Sequence, residues 1–334
     1  MKLDPITLEI QWKRLVSMVD EASAAFVRTS FSVLVREAND FAVVLTDAQG
    51  RSIAQSILSI PSFIGTLPAT VKHFLQKFPP KTLKPGDVMI TNDPWMGTGH
   101  IHDVNVAMPI FHKGKIVAYA AVVSHMPDIG GRIRNAGIRD IYEEGLQIPR
   151  MKLISAGKPD QNLLDVIAQN VRVPEQTLGD IWAQVAACKM LEERLKPLLK
   201  EINLDQLGNE IRRRSEAAMK KAIREVPDGV YHGHTQHDGF EEPIIINATV
   251  TVKGDKLSID YTGSSAQVPR AVNVVPIYTF AYSAFAVKAL LCPDVPNNEG
   301  SFTPITTSKA ASADTGIQAM KGVSSSTARN AHTP

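Results

Sequence analysis

Cysteine is nearly absent: the 334 residues hold two, Cys188 and Cys292, far apart in sequence. That excludes a disulfide framework and reads as a reducing compartment. Long apolar runs are missing too. No stretch approaches the roughly 20 apolar residues that span a bilayer, and the charged, amphipathic start "MKLDPITLEIQWKRL" has no signal-peptide core. Aromatics make up 6% and net charge is only +2, with acids and bases interspersed and no basic run among aromatics. Nucleic acid and membrane are therefore not expected partners. There is no G-x-x-x-x-G-K-[ST] phosphate loop and no G-x-S-x-G elbow. What remains is an ordinary globular composition, 44% hydrophobic and 21% charged. It predicts a soluble cytoplasmic chain of one large or two moderate domains.

Asp4-Pro5 opens a helix to about Thr29, with Ile6, Ile10, Leu15, Met18, Val19 and Ala22 at helical spacing. "FAVVLTDAQGRSIAQ" reads as a hairpin, 66–78 as a short helix, and 88–91 as a strand. "VNVAMPIFHKGKIVAYAAVVSH" is a second hairpin, in which Pro109 marks an edge or a bulge. Three helices follow between 160 and 225. The longest starts at Pro174 and should bury Leu178, Ile181, Trp182, Val185, Leu191 and Leu195, with Cys188 in the core. Strands return at 229–235, 244–252 and 256–261, then a helix at about 278–291.

This order predicts an α+β fold of antiparallel hairpins and sheets with an inserted helical segment. The expected units are 1–158, 159–226 and 227–305. From residue 306 the chain turns rich in Ala, Ser and Thr and reads as a disordered tail, 306–334.

Nine histidines are present. His73, His112 and His332 read as ordinary surface or core residues. "YHGHTQHDG" places His232, His234 and Asp238 on one strand face, which reads as polar rather than metal-binding. "NDPWMGTGHIHDVNV" differs, because the turn at Lys113-Gly114 returns His125 beside His100–Asp103. A two-residue loop pairs His102 with His125, a three-residue loop pairs Asp103 with it, and spacing leaves the choice open. Opposed side chains lie about 5 Å apart at Cβ, within reach of one ion. Imidazole and carboxylate donors without thiolates suit Mn, Fe, Zn or Ni. "DIGGR", from Asp128, is a candidate anion-binding turn with Arg132 and Arg134 assisting.

"REANDFAVVLTDAQGR", "TNDPWMGTGHIHDVNV", "SHMPDIGGRIRNAG", "EEGLQIPRMKL" and "VPNNEGSFTPI" together resemble the hydantoinase B/oxoprolinase family, from about residue 3 to 305. The resemblance implies one divalent metal (Mn, Zn or Fe) on His100, Asp103 and His125, with Asp40 as a further ligand and His102 as a neighbour. It implies an ATP-dependent hydrolase of cyclic amides such as hydantoins, 5-oxoproline or related lactams. An A-type, ATPase-like partner subunit would hold ATP and phosphorylate the substrate, and this B-type subunit would add metal-activated water. No catalytic acid or base is assigned, Glu143 and Glu144 included. Acetone/acetophenone-type carboxylase subunits share the pattern, so that activity is the alternative, as is an inactive remnant. The change of composition after "NEGSFTPI", where the family continues, reads as a truncated or frameshifted member, which would expose apolar surface.

Overall fold

The computed structural model describes residues 4–132 and 137–308. Helix α1, Pro5–Thr29, starts where Asp4 accepts hydrogen bonds from the N–H groups of Ile6 and Thr7. Its buried stripe is Leu8, Trp12, Leu15, Val19, Ala22 and Phe26. Ile6 and Ile10, expected inside, are 73% and 53% exposed. The stripe steps by four and three from Leu8, which turns the helix so that these two isoleucines fall outside it.

Next come α2 (Val33–Arg36), β1 (Phe41–Asp47), β2 (Ser52–Gln55) and α3 (Thr66–Lys77). Then follow β3 (Val88–Thr91), β4 (Asp103–His112), β5 (Lys115–His125), α4 (Ile141–Glu144), β6 (Met151–Ser155) and β7 (Lys158–Pro159). Strands β1–β7 form one sheet in the order β2-β1-β5-β4-β3-β6-β7, every pair antiparallel. Both faces are buried. Val43, Leu45, Val106 and Val122 point to the core shared with α1 and the later helices. Ala42, Val44, Ala121 and Val123 point to Leu67, Val71 and Phe74 of α3. Two covered faces explain why these strands read as near-continuous apolar runs.

Helices α5 (Gln161–Asn170), α6 (Pro174–Leu198) and α7 (Leu204–Arg224) follow. Helix α6 packs on α1, β4 and β5. It buries Ile181, Val185, Leu191 and Leu195 as expected, with Cys188 wholly inside, where burial pushes the thiol pKa up. Trp182 does not belong to that face and is 36% exposed.

The chain then adds β8 (Gly229–His237), β9 (Ile244–Lys253), β10 (Lys256–Asp260), α8 (Pro276–Leu291), α9 (Glu299–Phe302) and β11 (Ile305–Thr307). These strands make a second sheet, β11-β10-β9-β8, antiparallel except for the β10–β11 pair. Met219 and Ile223 of α7 and Val287 of α8 pack against Val252, Leu257 and Ile259. Val230, Tyr231, Tyr282, Phe285 and Leu290 are exposed large apolar residues of this half. The α+β class expected from element order is the one observed. The expected tail begins too early at 306: Thr306 and Thr307 belong to β11, and the Ser308 N–H donates to the Ile259 carbonyl. The rest of the tail, with His332, lies outside the described residues.

Candidate metal centre

The β4–β5 hairpin sets the first two side chains. Lys113 and Gly114 take positive φ, 49° and 75°, in a two-residue turn that pairs His112 with Lys115 and Phe111 with Ile116. Continued unbroken, that register would put His102 opposite His125. It does not continue. Val117 is bulged out, Ile110 pairs with Ala118, and from there every pair is shifted until Asp103 faces His125. Pro109 lies beside this bulge, opposite β5 and past the point where β3 pairs with β4. The bulge, which spacing could not reveal, makes Asp103 rather than His102 the cross-strand partner.

Strand β1 extends the row. Phe41 pairs with Ser124, and the His125 N–H donates to the Asp40 carbonyl at 3.0 Å. Asp40, His125 and Asp103 thus stand side by side at one end of three adjacent strands, on the face that carries α3. The preceding loop adds His100, whose Nε2 is 2.9 Å from Asp103 Oδ1. His125 Nδ1 is 3.1 Å from the same oxygen and 3.9 Å from Asp40 Oδ2. All four residues expected from the family resemblance are therefore brought together. Around an ion with bonds of about 2.1 Å, tetrahedral ligand edges measure about 3.4 Å. Donor spacings of 2.9, 3.1 and 3.9 Å bracket that value. The donors are imidazole and carboxylate, and His100, Asp103 and His125 are buried. The set fits one divalent cation.

Other expected clusters are put to different use. His232 contacts Thr249 and His234 contacts Asn247 across β8 and β9, on an exposed face. The "DIGGR" turn is not an open anion cradle. Gly130 N–H donates to Asp128, Asp128 is also bound by Arg172, and Arg132 N–H donates to the Glu143 carbonyl. Arg132 pairs with Glu143, and Arg134 lies outside the described residues.

Three residues join the site without having been assigned from sequence. Asn92 is buried and ties three segments together. Its amide donates to the carbonyls of Ile101 at 2.7 Å and Leu146 at 2.9 Å, and its oxygen accepts from Ile148 N–H at 2.6 Å. Glu144, at the end of α4, is 3% exposed and lies against His100 and His102. Burial pushes its pKa up, against a smaller opposing pull from His102. Its place in the "EEGLQIP" motif was the available signal. Tyr278 of α8 packs against Gly99, whose φ of 103° suits glycine. Its hydroxyl donates to Tyr282 at 3.2 Å. Burial first, then Tyr282 and the Asp103 and Asp40 carboxylates, raise its pKa. No local pattern links Tyr278 to residues so distant in sequence.

Known proteins resemble this chain over most of its length. The family model described as hydantoinase B/oxoprolinase matches residues 4–322, past the point where the composition changes. The B-type subunit of a putative D-/L-hydantoinase from Pseudomonas sp. strain NS671 is 29% identical over 91% of this chain and 55% of the relative. The crystal structure of an ATP-dependent caprolactamase from Pseudomonas jessenii superposes with a TM-score of 0.86 at 28% identity, covering 98% of this chain and 56% of that one. A nucleotide-free acetone carboxylase structure shares the fold, with a TM-score of 0.82 at 19% identity over 90% of this chain and 43% of that one. The chain spans about half the length of the hydantoinase B and caprolactamase relatives and about a quarter of the 5-oxoprolinases it matches. No helix among the described residues is long and apolar enough to cross a membrane. With the family model matching nearly the whole chain and the relatives agreeing, the protein belongs to the hydantoinase B/oxoprolinase family.

Proposed function

We propose that this chain is the B-type, metal-holding part of an ATP-dependent hydrolase of cyclic amides: a hydantoin, 5-oxoproline or a related lactam. The observation that carries the reading is the convergence of His100, Asp103, His125 and Asp40 at one sheet end. An amide carbonyl is a poor electrophile. Phosphorylation of its oxygen by an A-type partner that binds ATP would activate the carbon toward water. The missing phosphate loop in this chain is consistent with that division of labour.

A bound divalent cation would supply Lewis acidity, lowering the pKa of a water to about 7. The chain's own residues hold and shield the place where this happens. Asp103 offers one oxygen between two imidazoles, and Asp40 adds a carboxylate from the neighbouring strand. The burial of Asp103, His100 and His125 strengthens the charge interactions at the site.

The test pairs metal content with turnover. Protein purified without chelator should carry about one Mn, Zn or Fe per chain by elemental mass spectrometry, as expected for one divided ligand set. His100→Ala and His125→Ala should each lose it. With partner and ATP, ring opening of a hydantoin or lactam supports the hydrolase. A bicarbonate-dependent product from a ketone would instead assign the chain to a carboxylase. A folded wild-type protein that takes up no metal would overturn the reading.

A further inference from the structure

We propose that Glu144 is a positioning residue of this centre: its buried carboxyl behind His100 favours the tautomer with hydrogen on Nδ1, which leaves the Nε2 lone pair for a cation shared with Asp103. The inference rests on the metal-centre reading above and adds a residue to it. His100 lies between two carboxyls. Its Nε2 is 2.9 Å from Asp103 Oδ1, and its Nδ1 is 3.8 Å from Glu144 Oε1. A neutral imidazole has one N–H and one lone pair, so the nitrogen opposite the ligating one must carry hydrogen and needs an acceptor. Glu144 Oε1 is the carboxyl oxygen that stands behind this nitrogen. The same oxygen is 3.5 Å from His102 Nδ1. The His102 contact sits at the outer limit of hydrogen bonding and the His100 contact lies beyond it, so the role requires the His100 ring to rotate toward Glu144 when a cation binds.

Two further observations support the role. Glu144 is placed by its backbone. On one side Arg132 N–H donates to the Glu143 carbonyl at 2.9 Å, and on the other Leu146 N–H donates to the Ile129 carbonyl at 2.8 Å. A Cβ on Gly131 would stand 2.5 Å from the Glu144 carbonyl carbon, and one on Gly145 would stand 2.4 Å from Ile129 O. Two glycines with positive φ, 58° and 145°, therefore allow the "DIGGR" turn to press on Glu144. The carboxyl is also buried, and its Oε2 has no hydrogen-bond partner among the described residues. Burying a carboxyl this way is costly unless it serves the groups beside it. Those groups are the imidazoles, with His100 and His102 ring centroids 5.3 Å apart and His102 stacked 5.2 Å from His125.

The experiment uses the full chain with 15N-labelled histidine, as wild type, Glu144→Leu, Glu144→Asp and Glu144→Gln. It reads the His100 tautomer by long-range 1H–15N correlation, and the Zn(II) dissociation constant by chelator competition. In the Zn(II)-loaded wild type, His100 should carry its proton on Nδ1. Glu144→Leu should lose that preference and bind Zn(II) about 10- to 100-fold more weakly. Glu144→Asp, which withdraws the oxygen by one methylene, should weaken binding in the same direction if the leucine variant does not fold. Glu144→Gln keeps an acceptor oxygen and should restore both readouts. A folded Glu144→Leu or Glu144→Asp with wild-type tautomer and affinity would overturn the role. Should wild type bind no Zn(II), the metal-centre reading falls; Zn(II) binding by wild type with no effect of the Glu144 variants overturns the role of Glu144 alone.

Discussion

Replacing Asn92 by alanine should unsettle both the fold and the centre, because this one side chain joins three segments. It is 1% exposed. Its removal strips a donor from the carbonyls of Ile101 and Leu146 and an acceptor from the N–H of Ile148. A buried polar group left unpaired costs about 1–3 kcal/mol. The two carbonyls keep a second lone pair and belong at the lower end of that range, while the N–H has no alternative and belongs at the upper end. The expected loss is about 3–5 kcal/mol, a large part of the roughly 5–15 kcal/mol that holds a typical domain folded. Asn92→Asp should be at least as damaging at neutral pH, because it retains the acceptor for Ile148 but points an oxygen at two carbonyls. Urea unfolding followed by circular dichroism measures the loss, and Zn(II) titration of the folded variant reports on the centre. A loss under about 0.5 kcal/mol with unchanged Zn(II) affinity would refute the view that Asn92 couples the His100 loop to the Glu144 arm.

Other outcomes follow from the same geometry. Gly145→Ala should cost more than about 2 kcal/mol in urea unfolding and weaken Zn(II) binding, because the added Cβ would meet Ile129 O at 2.4 Å. Zn(II) at 100 times its dissociation constant should add about 2.7 kcal/mol to stability, and Asp103→Asn should abolish that gain in a thermal melt. Asp87 supplies a pH-dependent contribution. Burial alone would raise its pKa, but Lys152 and the N–H groups of Ala156 and Lys84, at 2.7, 2.7 and 2.8 Å, outweigh it and hold the carboxyl below its ordinary 3.8. A depressed folded-state pKa gives stability that is full above about pH 4 and lost as pH falls through the folded value. Asp87→Asn should therefore flatten the acid limb of the stability curve measured between pH 6 and pH 3.

Periodicity and turn chemistry made the elements readable. Asp4-Pro5 marks the start of α1, and Pro174 the start of α6. The apolar run after Lys113-Gly114 is β5, and its near-continuous hydrophobicity reflects a sheet covered on both faces. Helix faces were less secure. Ile6, Ile10 and Trp182 fit a helical period yet lie toward solvent, because the packing partner, not the period, chooses which stripe is buried.

The amino-acid sequence by itself determined the α+β order of elements and, through its motifs, the family and the segments that carry imidazole and carboxylate donors. These are local properties, set by spacing, capping and residue type. Only the tertiary structure decided that Asp103 faces His125, since one bulged residue, Val117, moves every later pair by one position. It alone decided that Glu144 and Tyr278 reach the site, since Glu144 depends on close backbone packing at Gly131 and Gly145, and Tyr278 on the distant helix α8 packing against Gly99. Register and long-range approach are settled by how surfaces fit, and that information is spread over the whole fold rather than written in any one stretch.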